Sequence, residues 1–147
     1  MARPESCQRL LPPMRGLAHD FYSYCKQHEL RFQKCSKCGR WRHVPREMCP
    51  DCGSFNYEWA KSAGKGKVFS WAITDQPMLP QFADEVPYAI AIVELEEGVR
   101  IATWVVDVLP DELSIGLPVE VEFDDVTSGV TLPKFRRLKP NRLLKEP

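Results

Sequence analysis

The chain has 147 residues, 44% hydrophobic and 27% charged, which leaves room for one ordinary domain, or one small domain beside a metal-stapled module. No run approaches about eighteen apolar residues, which excludes a membrane-spanning helix. Basic and acidic residues balance at twenty each, yet residues 1–67 carry 13 Lys and Arg against 6 Asp and Glu, and residues 68–147 carry 7 against 14.

The first residues, Met1-Ala2-Arg3-Pro4-Glu5-Ser6, hold no apolar segment of the secretory kind, so a cytoplasmic setting with reduced thiols is expected. Residues 1–13, with Pro4, Pro12 and Pro13, read as a loose leader. From about Leu17 to His28 a helical period places Leu17, Phe21, Tyr24, Cys25 and His28 on one face. That face would pack on the rest of the chain or dock a partner. Cys7 and Cys25 read as ordinary free or buried cysteines.

Next come Cys35-Ser36-Lys37-Cys38 and, ten residues on, Cys49-Pro50-Asp51-Cys52. A two-residue spacer puts two sulfurs on one tight turn, and two such turns supply a tetrahedral set of thiolates. Gly39 and Gly53 follow the pairs and let the backbone curl around the sulfurs. A structural Zn²⁺ site held by Cys35, Cys38, Cys49 and Cys52 is the leading reading. Four thiolates would also accept iron, and two disulfides would need an oxidising compartment. So small a fold buries too little apolar surface to stand without its ion. Trp41 and Val44, between the knuckles, are expected to cover the site.

Ser62-Ala63-Gly64-Lys65-Gly66 reads as a hinge into strands. These are 67–74, 88–95, 100–106, 119–123 and 132–138, with a Pro-rich loop over 76–87 and one helical turn within 107–114. Five short strands with a long first loop and a short helix after the third suggest a five-stranded Greek-key barrel, the OB fold. The expected class is mainly β: an N-terminal helix, a rubredoxin-like four-Cys zinc ribbon and a C-terminal OB barrel. The expected division is 1–31 for leader and helix, 32–61 for the ribbon, and 62–147 for the OB-fold domain with its basic tail, Lys134 to Lys145.

The ordered set Leu30-Arg31-Phe32-Gln33-Lys34-Cys35, Cys38-Gly39, Val44-Pro45, Cys49-Pro50-Asp51-Cys52-Gly53, Glu58-Trp59, the 64–71 stretch, Pro87-Tyr88 and Ile115-Gly116 resembles the family catalogued as domain of unknown function 35. The resemblance covers roughly residues 16–140. It implies an accessory subunit, without catalytic residues of its own, that docks on a thiolase-fold enzyme such as a thiolase or a steroid side-chain retro-aldolase and helps form its acyl-CoA site. It also allows a hotdog-fold enoyl-CoA hydratase as partner.

The residues themselves offer no phosphate loop, nucleophile elbow or His-Glu-x-x-His segment. His19, His28 and His43 read as structural or solvated. Asp84-Glu85, Glu96-Glu97 and Asp124-Asp125 read as solvated acids on loops. Arg40, Arg42, Arg46 and Lys37 flank the knuckles and would meet either the phosphates of coenzyme A or a partner surface.

Zinc ribbons and OB folds also bind nucleic acid, and Phe69, Trp71, Tyr88 and Trp104 would serve as stacking platforms or as barrel core. Residues 68–133, however, hold one basic residue, Arg100, against thirteen acids, which would repel a phosphate backbone. Nucleic acid is therefore not favoured.

Overall fold

A computed structural model describes residues 10–139. Most of the leader, Cys7, Arg142 and Lys145 lie outside that range. Helix α1 (Gly16–Lys26) buries Phe21 and Cys25, four residues apart and so on one face. It ends sooner than the sequence period suggests. His28 lies beyond it at φ 58°, where its amide closes the last turn on the Cys25 carbonyl. The buried face packs within the chain: Phe21 lies 6.2 Å from Phe32 and 5.1 Å from His43, ring to ring. No helix is long and apolar enough to cross a membrane.

Three strands form the ribbon sheet: β1 (Arg31–Cys35), β2 (Trp41–Arg42) and β3 (Tyr57–Lys61), in the order β2-β1-β3 and antiparallel. Central β1 buries Phe32, Gln33 and Cys35. Five more strands close a barrel: β4 (Lys65–Thr74), β5 (Tyr88–Leu95), β6 (Arg100–Val106), β7 (Pro118–Asp125) and β8 (Thr131–Arg137), in the order β4-β5-β6-β8-β7. Every pairing is antiparallel except β6 with β8. This is the five-stranded OB topology. A 3-10 turn at Pro80–Phe82 sits in the long first loop, and a second at Pro110–Glu112 follows β6.

Alternation decides what faces inward. On β5, Ala89, Ala91, Val93 and Leu95 are buried; on β6, Ile101, Thr103 and Val105 are. The aromatic residues are therefore not the barrel core. Tyr88 and Trp104 alternate with the inward residues and stack on each other at 4.2 Å, while Phe69 and Trp71 are 44% and 38% exposed. The interior is filled mostly by smaller residues; among the described residues of the barrel Phe135 is the fully buried large ring, with Phe123 packed partly buried against the core.

The junction is not a hinge. Lys65 and Gly66 already belong to β4, which pairs with both β5 and β7. Ser62 is buried, its hydroxyl donates to Glu97 Oε2 at 2.9 Å, and the Ala63 amide donates to Glu97 Oε1 at 2.7 Å. A Cβ on Gly66 would sit 2.3 Å from the Glu94 carbonyl oxygen, so only glycine permits the crossing.

Candidate metal centre and the cleft beside it

Two mirrored turns build the cysteine site. The Gly39 amide donates to the Cys35 carbonyl at 2.9 Å, and the Gly53 amide to that of Cys49 at 3.0 Å. Both glycines sit at φ near the left-handed region, 76° and 74°. The four sulfurs lie within 4.8 Å of one another, with Cys35–Cys52 at 3.5 Å and Cys38–Cys49 at 3.6 Å. A disulfide would need about 2.05 Å. Tetrahedral ligands at about 2.3 Å from one ion would stand ~3.8 Å apart, so the set fits a single ion.

The surroundings shift these thiols in opposite directions. The Cys38 amide hydrogen bond, against some burial, lowers Cys35 to about 6. The Cys52 amide likewise lowers Cys49. Cys38 is lowered by the Arg40 amide, but burial and the neighbouring thiols outweigh that and lift it to about 11. Cys25 stands apart in the core, where burial pushes its thiol up to about 12.

Val44 is 63% exposed and, with Trp41, lines a cleft of about 390 Å³ between ribbon and barrel. The cleft gathers Arg40, Arg42 and Arg46 from the ribbon. Lys37 does not line it. From the barrel come Glu94 and Arg100, the residue that stood out in sequence only as a lone cation among acids. Arg42 is 6% exposed, its guanidinium 5.1 Å from the Tyr57 ring centre. It donates to Gln33 Oε1 and to the Arg46 carbonyl, the latter at 2.9 Å. Gln33 Oε1 also accepts the Arg46 amide at 2.7 Å. Sequence reading missed Gln33, because a buried polar residue in a strand carries no local signal.

The paired acids do more than meet solvent. Glu97 fastens the junction. Asp125 accepts the Thr131 hydroxyl at 2.6 Å and meets His28 Nε2 at 3.0 Å, which clasps the end of α1 to the barrel. Those two contacts hold the Asp125 carboxyl below its usual range. Because Thr131 donates to Asp125 rather than to His28, the three do not form a nucleophile–base–orienter chain. His43 is packed between Phe21 and Phe32, and burial lowers it to about 4.

Two family models divide the chain: "ChsH2, rubredoxin-like zinc ribbon domain" over residues 23–58, and "ChsH2, C-terminal OB-fold domain" over 59–124. A "DUF35 domain-containing scaffold protein" of Methanothermobacter thermautotrophicus is 38% identical over 102 residues, 69% of this chain and 76% of that one. The chain belongs to the DUF35 family. A "Probable enoyl-CoA hydratase alpha subunit" of Thermomonospora curvata is 39% identical over 139 residues. That match takes 92% of this chain but only 43% of the relative's length. In structure the chain resembles a chain of the "Ltp2-ChsH2(DUF35) aldolase", with TM-score 0.78 and 37% identity, covering 86% of this chain and 98% of that one.

Proposed function

We propose that this DUF35 chain is a non-catalytic accessory subunit. It docks on a thiolase-fold acyl-CoA enzyme, a thiolase or steroid side-chain retro-aldolase, and helps form the acyl-CoA site. The observation that carries this reading is the likeness to the aldolase-associated DUF35 chain, which spans 98% of that chain at 37% identity. A hydratase partner is the second reading, favoured by the name of the Thermomonospora relative. The reading places the chain in a reducing cytoplasm, where Cys35, Cys38, Cys49 and Cys52 hold Zn²⁺ as thiolates. Bound there, zinc would supply folding energy, and four sulfurs would leave it no open position for activated water. The acidic barrel, with Tyr88 and Trp104 spending ring faces on each other, argues against a strand-binding groove.

Affinity purification of the tagged chain from its host, with mass-spectrometric identification of what co-purifies, tests the reading. A thiolase-fold or hydratase subunit in near-stoichiometric yield is the expected result. Nuclease-sensitive nucleic acid in its place would overturn it.

A further inference from the structure

The outer surface of the barrel is divided by charge. Strands β7 and β8 turn Glu120 and Asp124 outward, paired with Arg136 at 3.0 Å and Lys134 at 2.5 Å. On β4, β5 and β6, by contrast, none of residues 70–74, 88–92 and 102–106 is charged, and these strands are neighbours in the sheet. Register sets the outward rows: Ala72 beside Ile90 beside Trp104, and Ser70 beside Ile92 beside Ala102. Tyr88 stacks on Trp104 at 4.2 Å and stiffens one edge. Ile90, at the centre, is 39% exposed, and Ala72 and Ala102 on either side are exposed too. Charge returns one row further on, where Lys67, Glu94 and Arg100 align. The outer side of an antiparallel sheet ordinarily alternates to polar residues, and a contiguous apolar patch there marks a contact surface.

We infer that this face pairs with the same face of a second copy of the chain, as a weak twofold dimer. A twofold interface joins a patch to itself, so any charge near its centre meets its like; this patch carries none. Ribbon set on ribbon would instead oppose arginine to arginine. Basic and acidic residues balance at twenty each, so no net charge holds two copies apart. Two twisted sheets pack face to face about 10 Å apart, a gap that side chains such as isoleucine and tryptophan fill. Three strands by about five residues cover roughly 14 by 17 Å, or about 240 Å². That is well below the ~800 Å² per partner of a stable complex, so a dissociation constant of about 10–100 µM is expected. The inference does not depend on the accessory role proposed above.

Sedimentation equilibrium of the full-length, zinc-loaded chain from about 5 to 500 µM tests it. The average mass should climb with concentration from that of one chain toward that of two. Ile90→Lys should raise the dissociation constant at least about tenfold, because two like charges then meet near the twofold axis. An equal mixture of Ile90→Lys and Ile90→Glu chains should recover the association that neither shows alone. Ser128→Lys adds the same charge on an exposed turn between β7 and β8, and should change the constant by less than about twofold. Ala72→Lys, on the adjoining strand, repeats the measurement should Ile90→Lys fail to fold. A monomer at every concentration overturns the inference. So does a dimer indifferent to Ile90→Lys and Ala72→Lys, an equal loss from Ser128→Lys, a mixture that recovers nothing, or growth beyond the dimer. A chain that stays monomeric, yet loses a co-purifying enzyme on Ile90→Lys, gives the face to that enzyme; it refutes the dimer and leaves the accessory role standing.

Discussion

His43 shows how one side chain acquires a physical role that its sequence position does not announce. Wedged between Phe21 and Phe32, it stays neutral down to about pH 4, whereas in the unfolded chain it titrates near 6.5. The unfolded state therefore binds the extra proton between those values, and stability falls as pH drops through that window, by at most about 3 kcal/mol. Urea midpoints of the wild type and His43→Gln should converge between pH 6.5 and 4; parallel curves would contradict the assignment. Cys25 makes the complementary case. With its thiol held at about 12, it should resist alkylation in the folded chain at pH 8, and Cys25→Ala should keep its full metal content. The clustering of Cys35, Cys38, Cys49 and Cys52 was legible because their spacing brings the four sulfurs together. Gln33 and Glu97 were not, because their partners lie 9 and 35 residues away and only the fold supplies them.

Among the elements, the knuckles and strand β4 are the places where single atoms decide the outcome. On the proposed metal site, Cys49→Ser would remove one of four ligands, and metal binding and ribbon folding would be one equilibrium. The variant should purify without stoichiometric zinc and with a lowered Tm; normal zinc by elemental analysis would count against the assignment. Gly66→Ala should cost about 2–3 kcal/mol, because backbone of β5 blocks the new methyl. Gly98→Ala meets nothing within 4 Å and should cost about 1 kcal/mol, from its φ of 87° alone. Chemical denaturation of the pair would separate close approach from backbone strain. At this scale the sequence was readable where alternation ran clean: β5 and β6 have the limits expected, Tyr88–Leu95 and Arg100–Val106. It misled at 62–66, where glycines that suggest looseness serve close packing, and at the aromatics, which propensity places in strands without saying which face they take.

Across the whole molecule, helix, ribbon and barrel share one continuous buried cluster, from Phe21 and Cys25 through Leu30 and Phe32 to Val68, Val119 and Phe135. Two differently shaped modules should thus unfold together. Circular dichroism and tryptophan emission are expected to report one coincident transition, moved to lower temperature by chelation. A barrel that melts separately from the ribbon would refute this. The division of charge, basic in the first half and acidic in the second, was plain in the sequence, but its meaning was not. Folding brings Arg40, Arg42 and Arg46 against Glu94 and Arg100, so the boundary between the two signs becomes the cleft.

The closed junction at Ser62 and Ala63 has a mechanical consequence. Glu97 on one side and the α1 clasp through His28 and Asp125 on the other brace ribbon and barrel at two separate points. A body braced twice moves as a lever, not as beads on a string. Two braces set far apart oppose rotation of the ribbon about either one alone, so the angle between the two modules is fixed from both ends.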